Sequence, residues 1–285
     1  VRPRVEYAST VWRPGTSQAL LVKLDVVQRK IARFVIGSAL IVSNVALLAE
    51  VGWPTLEDRH TEQSIRLLHK IASLPTTHRL RQQYEWSGTM CTRFYAQTGL
   101  KWATVKSHDA RHLFGTDDSD GFKLALRRYT IAEADRRLAD DPNRSAGLLR
   151  EVKPTTARWP HLELGERWPS TQLTRLRLGI SRLNLDQFCK DYADSPVCDH
   201  CGHGVLESRE HFLLSCPAWD AQRSRLWEEL AALEVRGLLL PCDAPTLIGS
   251  RRMCRNRSQL EGIAAATRRF VTRTGRLKWP QTPAH

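Results

Sequence analysis

Apolar residues recur along this chain at spacings of three and four, the period of an amphipathic helix. Leu20, Leu24, Val27, Ile31 and Phe34 form the first such stripe, which predicts a helix that Gly37 ends. Gly52, Trp53 and Pro54 mark a turn. Thr55 or Asp58 then opens a helix whose Ile65, Leu68 and Ile71 share a face, and Pro75, Thr76 and Thr77 stop it. The acidic run Asp117, Asp118, Ser119, Asp120 suits the positive end of a helix that continues through Phe122, Leu126 and Tyr129 to the basic pairs Arg127, Arg128 and Arg136, Arg137. Between about 140 and 170, Pro142, Pro154, Pro160 and Pro169 each disfavour helix in the preceding residue, so this stretch reads as a linker. Leu173, Leu176, Ile180 and Leu183 then predict another helix. Leu226, Leu230 and Leu233 predict one with Pro217 in its first turn, and Leu260, Ile263 and Phe270 the last. Strand-period alternation is scarce, so the expected fold is mainly α.

One segment breaks the helical pattern. Residues 197–217 read VCDHCGHGVLESREHFLLSCP, with Cys198 and Cys201 two residues apart, followed by His211 and Cys216. Two cysteines in a tight turn supply half of a tetrahedral zinc site. Ser208 is placed to cap a helix in which His211 is the third residue, with Glu207 and Glu210 near its positive end. Cys216 lies five residues on, about 140° around an ideal helix and so aimed away from His211. Pro217 resolves this conflict, because the residue before a proline leaves the helical region and Cys216 can swing back. The expected ligand set is Cys198, Cys201, His211 and Cys216, holding a structural zinc worth on the order of 10 kcal/mol to local order. His200 and His203 are rival ligands, ranked lower because the short loop strains to bring His203 round.

Composition narrows the setting. With 41% hydrophobic and 26% charged residues the chain can bury a core, and 43 Lys and Arg against 30 Asp and Glu leave a net charge of +13. Such an excess points first to a polyanion, nucleic acid above all, rather than to a membrane, for which no apolar run is long enough. Residues 1–20 show no signal-peptide pattern, and Val1 in place of Met suggests a piece of a longer product. An odd count of 7 cysteines with a single close pair argues against a secreted disulfide framework and for an intracellular setting, cytoplasm and nucleus. Cys91, Cys189, Cys242 and Cys254 stand alone. The densest cation cluster is Arg251, Arg252, Arg255 and Arg257, followed by Arg268, Arg269, Arg273, Arg276 and Lys278 and by Trp279 for base stacking. Arg175, Arg177 and Arg182 are the next candidates for phosphate contact. The other tryptophans, Trp53 and Trp168 especially, suit core or turn anchors.

Catalytic alternatives are weaker. His161 and Glu163 ahead of Cys198 and Cys201 imitate the order of zinc deaminases. However, His161 follows Pro160, Val197 rather than Pro precedes the first cysteine, and His211 and Cys216 would have no role. Tyr192, Ala193, Asp194 and Ser195 match only half of a polymerase YxDD turn. No phosphate loop or nucleophile triad is legible, so the chain is expected not to be an enzyme by itself.

Two stretches resemble a known family. Glu6, Tyr7, Ala8, Ser9, Val11 and Trp12, with LDVVQRKIARF at residues 24–34, resemble the segment after the polymerase palm in non-LTR (LINE-type) retrotransposon reverse transcriptases. LRLGISRLN at 176–184, ADSP at 193–196, CDHCG at 198–202 and EHFLLSCP at 210–217 are similar to the C-terminal zinc knuckle of the same elements. The resemblance covers about a third of the chain. It implies a thumb-like helical segment at 1–75, a helical connector and Pro/Arg/Trp-rich linker at 76–169, a zinc-knuckle region with flanking helices at 170–236 and a basic helix and tail at 237–285. It implies RNA template or target DNA as partners, together with an upstream polymerase domain that would carry the catalytic acids. The rival expectation is a zinc-stabilised protein-interaction module.

Overall fold

A computed structural model describes residues 6–37, 42–86, 119–159, 165–234, 242–254 and 256–278, apart from the side chains at 68, 72, 84–86, 119, 120, 233 and 234. Arg2, Arg4, Cys91, Asp117, Asp118, Pro160, His161, Glu163, Arg255 and Trp279 therefore lie outside the described residues, as do the side chains of Leu68 and Leu233. The described residues are mainly helical, with one isolated antiparallel bridge, Val197 to Leu206, and no strand among them. No helix among them is long and apolar enough to cross a membrane.

The helices are α1 (Ser9–Trp12), α2 (Gln18–Ile36), α3 (Asn44–Val51), α4 (Leu56–Ala72), α5 (Arg79–Trp86), α6 (Ser119–Asp140), α7 (Arg144–Val152), α8 (Arg167–Leu178), α9 (Asn184–Phe188), α10 (Asp220–Glu234), α11 (Ala244–Leu247) and α12 (Arg257–Thr274). They fall into two compact units, one of Val1–Ile31 with Pro54–Arg136, the other of Ala32–Trp53 with Arg137–His285.

In the first unit Thr55 caps α4, its hydroxyl accepting from the Asp58 N–H at 3.0 Å, with Glu57 and Asp58 in the first turn and His69 and Lys70 in the last. That charge order follows the helix dipole. Ile65, Phe122 and Leu126 form a small core, and the His69 ring stacks on Phe122 at 3.8 Å. The covered face of α2 is rotated from the expected stripe, of which Leu24 and Ile31 are half-buried. Leu20, Val27 and Phe34 are exposed, Phe34 by 74%, whereas Gln28, Ala32 and Ile36 are buried. Gln28 satisfies its amide by donating to the Pro54 carbonyl at 2.9 Å, and Ala32 is small enough for close packing, two reasons that apolar periodicity does not register.

The second unit holds two apolar clusters. One gathers Ala32, Ile36, Leu47, Leu138, Leu149 and Leu178; the other centres on Leu173, Leu176, Phe212, Leu226, Ile263 and Phe270. Two sequence expectations change here. The stretch expected as a linker contains α7, capped by Asn143, whose side chain accepts from the Ser145 N–H at 3.0 Å. Pro142 and Pro154 lie just outside it, so they bracket the helix instead of preventing it. The helix expected to run on to Leu183 stops at Gly179, which is left-handed at φ 63. A Cβ there would collide with Leu148 Cδ1. Ile180 and Leu183 therefore leave the helix, and Leu183 becomes the residue before α9, still buried.

Candidate metal centre and nucleic-acid interface

The metal site is assembled from a hairpin-like turn and a helical turn. Cys198 N–H donates to the Val205 carbonyl at 2.8 Å and Glu207 N–H to Pro196 at 2.9 Å, which closes the loop carrying Cys198 and Cys201. Gly202 and Gly204 reverse the chain between them, at φ 66 and 67. Ser208 caps the following turn, its Oγ accepting from the His211 N–H at 3.1 Å. From His211 to Ser215 the turn is a π-helix, closed by Cys216 N–H to the His211 carbonyl at 2.7 Å. This wider i to i+5 turn, followed by extended backbone at Cys216 (φ −65, ψ 116), brings the cysteine over the histidine.

Cys198, Cys201, His211 and Cys216 each offer one ligand atom, all within 4.8 Å of one another, so the group could hold a metal ion. Cys198 Sγ and Cys216 Sγ are 3.8 Å apart, and Cys201 Sγ is 3.5 Å from His211 Nε2. Thiolates bound at about 2.3 Å to one tetrahedral ion stand about 3.8 Å apart, and a thiolate and an imidazole nitrogen bound at about 2.3 and 2.0 Å stand about 3.5 Å apart. Both edges fit. His200 and His203 are not in the group; the His200 ring lies instead 5.3 Å from that of Trp219.

Burial pushes the Cys216 thiol up to about 12 and raises Cys198 as well, although backbone N–H groups of His200 and Cys201 point to Cys198 and that of Ala218 to Cys216. Burial lowers His211, favouring the neutral imidazole that a metal requires.

Three residues around this site were not singled out for these roles from the sequence. Ser215 Oγ lies 3.3 Å from His211 Nδ1 and orients the ring. Buried Arg223 donates to the carbonyls of Leu213 (3.1 Å) and Cys216 (2.7 Å), satisfying the end of the π turn. Glu207, read from sequence only as charge near a helix start, is fully buried. It accepts from the Asn184 N–H at 2.6 Å and pairs with Arg276. A Ser215→Ala change is expected to weaken metal binding by about tenfold with all four ligands in place, as loss of an orienting partner does elsewhere. Competition against a chromogenic chelator measures it, and unchanged affinity would remove Ser215 from this role.

The arginines proposed for phosphate contact divide sharply. Arg177 is 1% exposed, pairs with Glu50, and donates to the Ile248 carbonyl at 2.8 Å and Thr174 Oγ1 at 2.8 Å. Arg268 is buried, and burial lowers its pKa. The Arg177 guanidinium is fully engaged inside the protein and does not reach a surface, which corrects its assignment: the helical period that spaced it with the other arginines carries no information on which face is covered. Arg251 and Arg252 are exposed, Arg251 lying 4.4 Å over the Trp159 ring. Exposed Arg257 pairs with Glu261, and Arg269 and Arg273 share Glu229, so part of their charge is already neutralised. Arg175 is half-buried and donates to the Gly37 carbonyl, and Arg182 donates to that of Lys278 at 2.9 Å.

Comparison with protein families, with curated proteins and with solved structures yields no match to this chain.

Proposed function

We propose that this chain is a nucleic-acid-binding region of a retroelement reverse transcriptase, stabilised by one structural zinc and not catalytic by itself. The observation that carries the reading is the closed Cys3His set, with zinc-like edges of 3.8 and 3.5 Å, in a chain of net charge +13. Four protein ligands leave the ion no open position for water, so it orders the fold and does no chemistry. Thiolate and imidazole donors at these separations favour zinc over a hard cation. Exposed Arg251 and Arg252, with Arg175 and Arg182, supply phosphate contacts; the partner is template RNA or target DNA, and the upstream polymerase domain supplies the catalytic acids. An intracellular site, in cytoplasm and nucleus, follows from the same reading.

The test is metal content and RNA binding on one purified sample across a salt series, with and without chelator. Four phosphate contacts give a log-log salt slope of about −3.6 on duplex and about −2.8 on single strands. An Arg251→Glu, Arg252→Glu variant should bind more weakly with a shallower slope. One zinc per chain with no nucleic-acid binding would sink the reading. It would favour a zinc-stabilised protein-docking module, for which exposed Val205 and Leu206 on the knuckle loop are the supporting observation.

A further inference from the structure

The segment that links α8 to the metal loop presents two aromatic rings to solvent. Phe188 is 44% and Tyr192 66% exposed, in a unit where Phe212 and Phe270 are fully buried. They are held close by a tight turn: Asp191 N–H donates to the Phe188 carbonyl and Tyr192 N–H to that of Gln187, both at 3.0 Å, with Asp191 in the left-handed region at φ 59. Asp is one of the few residues that accepts that conformation readily.

The turn is anchored on cation-rich chain. Asp186 accepts from Ser181 Oγ at 2.6 Å and pairs with Arg144 at 2.8 Å, and Gln187 donates to the Ser181 carbonyl. The end of α8, with Arg175, and the following Arg182 are thereby fixed beside α9. Lys190 sits between the two rings in sequence. Burial first, and then Arg144 and Arg175, push its pKa below the ordinary lysine value against the pull of Asp186. Arg182 is likewise lowered by burial and by Arg276 and Arg175. Lys190, Arg175 and Arg182 thus lie within electrostatic reach of one another, and clustered cations attract a polyphosphate.

We infer that Phe188 and Tyr192 form a base-stacking platform for single-stranded nucleic acid, with Lys190, Arg175 and Arg182 taking the adjacent phosphates. The inference rests on the nucleic-acid reading above and adds to it the form of the ligand. Stacking requires unpaired bases, because a duplex hides their faces, and it is indifferent to sequence because every base has one. Asp191 and Asp194 flank Tyr192 and repel phosphate there, so a base and not the backbone meets that ring.

The experiment uses the full chain with zinc bound and fluorescence polarisation on three probes: a 12-nucleotide single-stranded RNA, its DNA equivalent, and a 12-base-pair RNA duplex. A Phe188→Ala, Tyr192→Ala variant should lose about a hundredfold in affinity for both single strands, about tenfold per ring, and keep duplex affinity within twofold. A Phe188→Tyr, Tyr192→Phe variant, which keeps both rings, should bind as the parent does. Equal losses on duplex and single strands, a loss on only one of RNA and DNA, or no loss at all would overturn the platform while leaving general nucleic-acid binding standing. No binding of any probe by the parent chain would overturn both.

Discussion

A Cys198→Ser, Cys216→Ser variant is expected to lose all bound metal and to unfold around residues 197–217. These two thiols are the buried pair of the set, 3.8 Å apart, and replacing both removes two of the four donors to the ion. Structural zinc in small Cys and His sites contributes about 10 kcal/mol or more to the folded form, so the change should be large. Metal analysis and chemical denaturation of the same preparation measure it. Full metal content in the variant would refute the ligand set. Proton competition gives an independent reading. In the metal-free protein both thiols are protonated at neutral pH, Cys216 at about 12 and Cys198 above its ordinary value because of burial. Metal must displace those protons, so affinity should rise with pH, by at least about a hundredfold per unit from these two thiols alone. Its fall on acidification should not wait for His211, which burial keeps neutral to lower pH.

The second large effect lies away from the metal. Glu50 and Arg177 form a salt bridge with side chains 4% and 1% exposed, and Lys153 donates to the Ala49 and Glu50 carbonyls from a fully buried position. Glu50→Gln should destabilise the protein by about 3–5 kcal/mol, because it removes the charge that compensates buried Arg177. Glu50→Leu with Arg177→Met should recover most of that loss, since an apolar pair of similar volume has no ions to desolvate. Denaturant titration distinguishes the two. A small effect of Glu50→Gln would mean that water reaches the pair.

Burial alone would raise the Glu50 carboxyl, but Arg177, its hydrogen bonds, Lys153 and Thr174 hold it below the usual value. The unfolded chain titrates near about 4.3. The pair's contribution is therefore complete above that pH and is lost as pH falls through the lower folded value. The doubly apolar variant should show a flatter acid limb.

Local chemistry was legible in sequence wherever one residue type decides the backbone. Thr55 and Gly37 mark helix ends, and Ser208 and Pro217 fix the two sides of the turn that brings His211 and Cys216 together. What the apolar pattern could not give was the covered face. Gln28 is buried because a carbonyl happens to meet it, and Arg177 because Glu50, distant in sequence, neutralises it. Both are tertiary events with no local signature. The π turn was hidden for a related reason: it is one residue wider than the helix assumed from the period, and its carbonyls are satisfied by Arg223, ten residues beyond Leu213. The linker reading of 140–170 failed because the prolines were counted without asking on which side of a helix each would fall.

The buried Glu207 has a consequence for how this protein can be divided. One carboxylate holds the start of α9 through Asn184 and the stretch just after α12 through Arg276, directly before the residue that caps the metal turn. The apolar cluster beneath it likewise draws on Val152 and Leu277 as well as Phe212. An excised peptide containing just the four ligands would keep their spacing but lose the counter-charge and the packing that aim them. The metal loop is thus not a portable finger to be grafted elsewhere; a transplant has to carry the second compact unit, Ala32–Trp53 with Arg137–His285.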